Sequence, residues 1–396
     1  MNVLFLCQRV PYPPDRGDRI TTWHVLEHLL DRGASVRLGC FSEEHRDATA
    51  VDWLRGRCQE VCAPRLDRRR ARLSSLRGLL TGEALTLPFF RHRRLAGAVD
   101  RWFAQQRPDL VYVYSSSMAQ YALPHPGPVR LMQFAELDSD KWAQFAAQRR
   151  GPSRWLYARE ARRLLAFETT VAQSFDGSFV VSETERQLFQ QRIPSVVPTV
   201  LPNGVDVEHF RSSGEQRREP HTLVFTGVMD YAPNVDGICW FAAACWPAIR
   251  ARFAAARLWI VGSNPTAAVR ALAQQPGIEV TGRVDTTPPW FDRSTVAIAP
   301  LRLARGVQNK VLEALSMGLP VVASPQAAQG LGPTPPAALR VADGADATVA
   351  AICELLADPA RARSLGGDAA AWVRAHFTWP VMYAILDRVL AAKGLR

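Results

Sequence analysis

The chain has 396 residues, 47% of them hydrophobic, and a formal net charge of +11 from 48 Lys and Arg against 37 Asp and Glu. This composition excludes a disordered or fibrous chain and allows roughly two to three domains with buried cores. No apolar run reaches the roughly eighteen residues of a membrane span, and the cationic excess calls for an anionic partner: nucleotide, nucleic acid, anionic lipid or acidic glycan.

Seven cysteines (Cys7, Cys40, Cys58, Cys62, Cys239, Cys245 and Cys353) are odd in number and lack zinc-like spacing, and they read as reduced thiols of a cytoplasmic protein. The opening run Asn2 to Cys7 lacks the length and cleavage pattern of a signal peptide and reads as a buried first strand. The loop Gln8 to Asp18 then holds Pro11, Pro13 and Pro14 before Gly17. A helix follows from about Arg19 to Asp31, stopped by Gly33, and Ala34 to Phe41 is a second strand. Strand, glycine-containing loop and helix is how doubly wound domains begin, so Gly17 is either a phosphate-loop glycine or a plain turn residue.

After a helical patch from Ser42 and a short strand near Cys58 to Cys62, the segment Pro64 to Leu80 sets Arg65, Arg68, Arg69, Arg70, Arg72 and Arg77 against one Asp67. Leucines 66, 73, 76, 79 and 80 interleave with them. A helix here would bury its leucines in an anionic membrane face with arginines at the headgroups, or would be a solvated surface helix. Aromatics do not interleave with these arginines, which argues against nucleic acid.

Helix Leu95 to Gln106 and strand Asp109 to Tyr114 precede Ser115, Ser116 and Ser117. Strand Val129 to Phe134 leads into Glu136, Asp138, Asp140 and Lys141. Carboxylates just past the C-terminal end of a parallel strand sit where such sheets bind ligands. Asp138 is therefore a candidate general base or holder of an acceptor hydroxyl, with helix capping by Asp138 or Ser139 as the alternative. Helix Ser153 to Gln173, strand Ser178 to Val181, a helix capped by Ser182 with Glu185 at the capping-box position, and strand Val196 to Leu201 complete the first half.

Arg211 to Pro220 is polar and reads as a linker. The rhythm then restarts: strand Leu223 to Thr226, loop Gly227 to Asn234, helix Asp236 to Phe253, strand Leu258 to Val261, helix Pro265 to Gln275, and strand Ile278 to Thr281 before Gly282 and Arg283. The expected fold is α/β, two doubly wound halves joined near residue 210 around a cleft. Trp379 to Ala392 reads as an amphipathic helix returning to the first half.

The strongest local signal is Val296 to Ser324. It reads as a strand, a loop with Arg302, Arg305 and Gly306, a helix ending at Met317 with Gly318 as its stop, and the strand Pro320 to Ala323. The first turn of a helix carries partial positive charge, yet Arg305 precedes it and Lys310 lies near its start. A phosphate or diphosphate would relieve that clash, with Gly306 letting backbone approach and Glu313, one turn deeper, accepting from ribose hydroxyls. A solvated polar face with a Lys310–Glu313 ion pair is the plainer account.

These residues resemble the GT-B-fold glycosyltransferases of family 4, whose C-terminal domain carries two glutamates separated by seven residues, then a glycine and a Pro-Val-Val strand. Glu313, Gly318 and Pro320-Val321-Val322 match that pattern, while Arg305 stands where the first glutamate belongs. The run Arg305-Gly306-Val307-Gln308-Asn309-Lys310-Val311-Leu312-Glu313-Ala314 is similar to a subgroup of sugar transferases linked to exosortase (PEP-CTERM) exopolysaccharide systems. The runs from Pro13 to Arg19, Asp138 to Trp142, Val180 to Glu183, Pro202 to Asp206 and Thr226 to Met229, with Pro233-Asn234, fit it as well. The family's usual Arg and Lys after the first strand of the second domain are missing from the Gly227 loop, which leaves Arg305 and Lys310 as their substitutes.

The resemblance implies a retaining, metal-independent transfer from a nucleotide-diphosphate-sugar to a glycan or polyprenyl-linked acceptor, by a cytoplasmic protein peripheral on the inner membrane face. It implies an acceptor-side domain over residues 1–206, a donor-binding domain over 207–376 and a returning helix over 377–396. Arg305, Lys310 and Asp138 are the implied catalytic residues, and Gly17, Gly227, Arg283, Gly306, Lys310 and Glu313 the donor-binding ones. No cofactor beyond the donor is implied. A GT-B-like nucleotide-sugar epimerase using Glu136 and Asp138, and a non-catalytic basic scaffold, stay open beside it.

Overall fold

The computed structural model describes residues 1–15, 17–44, 47–214, 218–304, 306–332 and 335–395. The chain divides into two compact units. One is Met1–Leu201 with Tyr383–Arg396, and the other is Pro202–Met382.

The first unit is built on seven parallel strands: β1 Asn2–Leu6, β2 Ser35–Gly39, β3 Glu60–Cys62, β4 Leu110–Tyr114, β5 Val129–Ala135, β6 Gly177–Val180 and β7 Thr199–Val200. They lie in the order β3-β2-β1-β4-β5-β6-β7. The near-continuous apolar runs of β1 and β4 are what a sheet covered on both faces requires, and Val3 to Leu6 and Leu110 to Val113 are buried throughout. The edge strands β3 and β7 are the short ones, which leaves little unpaired backbone at the sheet margins.

The second unit carries β8 Thr222–Thr226, β9 Arg257–Val261, β10 Ile278–Gly282, β11 Val296–Ala299, β12 Val321–Ala323 and β13 Leu339–Val341. These are parallel in the order β10-β9-β8-β11-β12-β13. In each sheet the chain order reverses once, between β1 and β4 and between β8 and β11. Outside the carboxyl ends of the strands at such a reversal, a crevice opens and ligands bind.

Several boundaries differ from the sequence reading. Helix Gly17–Asp31 begins earlier than Arg19, so Gly17 is a first-turn residue rather than a loop glycine. The expected helix Asp236 to Phe253 is two helices, Ala232–Ala244 and Trp246–Arg252, because Pro247 cannot continue the hydrogen-bond ladder and starts a new helix at its first turn. The described residues of the expected linker 211–220 belong to the second unit, which begins at Pro202. Val205 donates to the Phe377 carbonyl at 2.7 Å, Arg218 to that of Gly318 at 2.7 Å, and Glu219 accepts from Arg293 at 2.9 Å, so these residues are tied into the second unit. Helices Gly344–Ala357 and Pro359–His376, which no sequence signal marked, pack under this sheet through Ile352, Leu355, Leu356, Ala369 and Val373.

The last helix, Trp379–Ala392, has the bounds its periodicity predicts. Its later turns join the first unit: His28 meets Asp387 at 2.8 Å and stacks on Tyr383 at 4.2 Å between ring centroids. All seven cysteines are free thiols. Among the described residues no helix is long and apolar enough to cross a membrane.

Candidate functional site

The helix Asn309–Ser316 starts at the reversal point of the second sheet, reached by the loop that leaves β11. Val311, Leu312, Ala314 and Leu315 bury its inner face, which leaves Lys310 and Glu313 half-buried on the other. No side chain caps the helix and its first turn holds no acid. Its positive end is therefore unanswered by local charge, and a cation has been added to it.

Lys310 is held on two sides. Its Nζ donates to Asn234 Oδ1 at 2.6 Å and stands 4.3 Å from the ring centroid of Phe225, on β8. Asn234, buried in the first turn of helix Ala232–Ala244, cannot rotate freely, because its Nδ2 donates to the Val228 carbonyl at 2.9 Å. Gly227, which follows β8, makes room for this group. A Cβ there would stand 2.6 Å from Asn234 Nδ2 and 3.0 Å from Lys310 Nζ.

Burial pushes the Lys310 ammonium down to about 7 against the raising effect of Glu313. Burial likewise pushes the Glu313 carboxyl up to about 7 against the pull of Lys310. Among the described residues, nothing hydrogen-bonds the Glu313 carboxylate, and no ion pair within 4.0 Å joins it to Lys310. The pair expected by the plainer account is not formed.

Gly306 is buried in the left-handed region at φ 61°, and its carbonyl would lie 2.4 Å from a Cβ on Gly330. Arg283 follows β10 directly and is exposed. Arg302 is engaged elsewhere, its Nε donating to Asp236 at 2.9 Å. Arg305 lies outside the described residues, as do Arg16 and, of the segment 211–220, Glu215, Gln216 and Arg217. Gly227, Gly306, Lys310 and Glu313 are thus gathered around one helix start.

Gly17 and Asp138 belong to the first unit. Gly17 is exposed, and nothing lies within 4 Å of a Cβ placed there, so no close backbone approach requires a glycine. Asp138 is the first residue of helix Asp138–Ala147, whose cap position is Leu137. Neither Asp138 nor Ser139 is the cap; the carboxylate of Asp138 instead complements the helix dipole. Together with Asp18 and Glu136 it acts on the Tyr114 phenol at the end of β4, which burial foremost, and then these charges, push well above its usual range.

Beneath Asp138 lies a residue that sequence reasoning passed over. Glu168, on helix Gly151–Ser174, is fully buried; its Oε1 accepts from the Ser139 N–H at 3.4 Å and its Oε2 has no partner. Burial first, and the Asp138 charge second, push it up to about 8 from an ordinary 4.5. A carboxyl raised this way is bound to its proton more firmly in the folded than in the unfolded chain. Stability should therefore fall as pH rises from about 4.5 towards about 8, by on the order of a few kcal/mol. Denaturant midpoints measured across that range should show Glu168→Gln with a flatter profile than the wild type; parallel profiles would mean that Glu168 is not held neutral.

Among the described residues no three His, Cys, Asp or Glu side chains group closely enough to hold a metal ion. Of the partners of Lys310, Asn234 figures in the resemblance without a role and Phe225 does not figure at all; an amide and an aromatic ring have no sequence periodicity to mark what they hold. Pro233 before Asn234, at a helix start, is the one local cue.

Two parallel-sheet, doubly wound units of this strand order define the GT-B fold. Within it, residues 220–358, which include Gly227, Asn234, Gly306, Lys310 and Glu313, match the family Glycosyl transferases group 1. The chain resembles, along its whole length, the sucrose-phosphate synthase of Thermosynechococcus elongatus, at a TM-score of 0.73 and 18% identity over 99% of each chain. HepE of Anabaena in complex with UDP is similar at a TM-score of 0.67 and 14% identity, over 99% of this chain and 100% of that one. HepE in complex with UDP-glucose is similar at 0.68 and 13%, with the same coverage. No curated protein matches the chain in sequence.

Proposed function

We propose that the protein is a retaining, metal-independent glycosyltransferase that moves a sugar from a nucleotide-diphosphate-sugar to a glycan or polyprenyl-linked acceptor in exopolysaccharide biosynthesis. The observation that carries this reading is Lys310, a cation set at an uncapped helix start where a parallel sheet reverses its order. The UDP and UDP-glucose held by similar structures support a nucleotide-sugar donor. The likeness of residues 305–314 to the exosortase-linked subgroup supports the exopolysaccharide setting.

The chemistry asked of the site is leaving-group stabilisation. As the bond between the sugar carbon and the diphosphate oxygen breaks, charge grows on the diphosphate. Lys310 and the helix N–H groups favour that state over the ground state. The new bond forms on the same face of the sugar, and the acceptor proton passes to the departing phosphate oxygen, so no protein base is required. Glu313, with no hydrogen-bond partner of its own among the described residues, accepts from the ribose hydroxyls. Arg305 shares the diphosphate, and Asp138 orients the acceptor hydroxyl. The arginines and leucines of residues 64–80 hold the protein on an anionic membrane surface.

Nucleotide binding tests the reading directly. UDP or GDP should raise the unfolding midpoint, and silence across a nucleotide panel would favour a scaffold. A bound diphosphate adds negative charge beside Lys310 and raises an ammonium that sits near 7 in the free protein. Binding should therefore take up protons, and affinity should fall as pH rises beyond about 7. Calorimetry in buffers of different ionisation enthalpy would read this uptake, and buffer-independent heats would contradict it.

A further inference from the structure

The arginine- and leucine-rich segment folds as two short helices, Arg68–Ser75 and Arg77–Thr81, and water meets much of their apolar surface. Leu73, Leu76 and Leu79 are exposed, and Leu80 is 91% exposed. Exposed leucines in contiguous turns mark a surface that something apolar covers.

The segment is joined to a second surface. Arg159, from helix Gly151–Ser174, donates to the Gly78 carbonyl at 2.6 Å and to that of Glu83 at 3.2 Å. The next residue, Glu160, accepts from the Leu85 N–H at 2.6 Å and the Thr86 N–H at 2.9 Å. These bonds, made by buried charged groups, fix the leucine-bearing helix against the long one.

One turn before Arg159 on that long helix stands Trp155, 61% exposed, and one turn after it stand Arg162 and Arg163, also exposed. With Arg159 and Ala166 they wall a single surface pocket, as their spacing on one helix face requires. Among the described residues no carboxylate pairs with Arg162 or Arg163, although exposed arginines elsewhere, such as Arg55 and Arg91, have theirs. Two unanswered guanidinium groups beside an exposed indole, next to exposed leucines, match the layering of a bilayer surface: phosphates outermost, the interfacial zone that suits tryptophan beneath, acyl chains below.

We propose that the pocket of Trp155, Arg162 and Arg163 is a phosphate-binding subsite for the headgroup of an anionic phospholipid. Trp155 and Leu80 enter the bilayer interface beside it. This rests on the membrane reading above and gives it a specific place, on a helix outside residues 64–80.

The test is flotation of the full chain with phosphatidylcholine vesicles, with and without phosphatidylglycerol, while UDP thermal shift is read on the same samples. The wild type should float with the anionic vesicles only. Arg162→Ser with Arg163→Ser should weaken that binding roughly tenfold or more, Trp155→Ala should weaken it as well, and the unfolding midpoint and UDP shift should stay unchanged. Serine at Arg68, Arg69 and Arg70 serves as the separate test of the leucine segment. Unchanged flotation of the Arg162/Arg163 variant, equal binding to neutral vesicles, or a wild type that stays in solution would each overturn the proposal. So would displacement of the wild type by inorganic phosphate beyond the effect of sodium chloride at equal ionic strength, which would make the pocket a site for free phosphate. A wild type that floats without a UDP shift would leave the docking intact and remove the transferase reading instead.

Discussion

Lys310→Met should lower sugar transfer on the order of a hundredfold or more while leaving the protein folded. The ammonium is the one described cation set at the start of helix Asn309–Ser316, and it is placed before the donor arrives, by Asn234 at 2.6 Å and the Phe225 ring at 4.3 Å. A charge fixed in advance costs no reorganisation when the diphosphate departs, which is why its loss falls on turnover. Methionine keeps the volume and the apolar stem but not the charge, and since burial already disfavours that charge, the unfolding midpoint should hold or rise. Lys310→Arg should not restore activity. The room that Gly227 leaves at Nζ suits a compact ammonium, and a planar guanidinium would drive Asn234 out of its bond to Val228. Turnover within a few-fold of wild type in Lys310→Met would remove Lys310 from the chemistry.

The alternation of apolar runs with helical periods made both sheets legible, because buried parallel strands tolerate little else, and β11 and the last helix have the bounds their patterns predict. What escaped did so for physical reasons. Helix Pro359–His376 contains Gly366 and Gly367, which weaken its local helix propensity. Gly366 is there because a Cβ would stand 1.9 Å from the Gly318 carbonyl, a contact between residues far apart in sequence. Polarity at 211–220 reads as a linker, whereas Arg218 and Glu219 are polar in order to bind Gly318, Arg257 and Arg293. In the candidate site, the charges Lys310 and Glu313 announced themselves by standing where helix physics disfavours or isolates them. Asn234 is a neutral amide whose importance comes wholly from a partner on another helix, and no local pattern encodes that. Glu168 looked like one more polar residue on a basic helix, and only its burial beneath Asp138 sets it apart.

Gly262→Ala should be the most damaging single-methyl change in the second unit, costing roughly 3 kcal/mol or more. Gly262 follows β9 as Gly227 follows β8, and the two backbones approach so closely that a Cβ on Gly262 would stand 1.6 Å from the Gly227 carbonyl oxygen and 2.8 Å from its carbon. Neither atom is the end of a flexible side chain. Relief would require the two strand ends to part, and they are held together by the Gly227 N–H on the Val261 carbonyl at 3.0 Å and the Met229 N–H on the Ser263 carbonyl at 2.8 Å. Displacing Gly227 also displaces the space that Lys310 and Asn234 occupy, so nucleotide binding should be lost along with stability. Gly367→Ala is the matched control. Its Cβ would meet nothing within 4 Å on an exposed helix face, so the same chemical change there should stabilise by about 0.5–1 kcal/mol. Thermal unfolding of the two variants, read with and without UDP, separates backbone crowding at the strand ends from the general effect of adding a methyl group. If Gly262→Ala unfolds at the wild-type temperature and still binds UDP, the strand ends have the slack to part, and the tight placement of Lys310 against Gly227 cannot be what prepares the site.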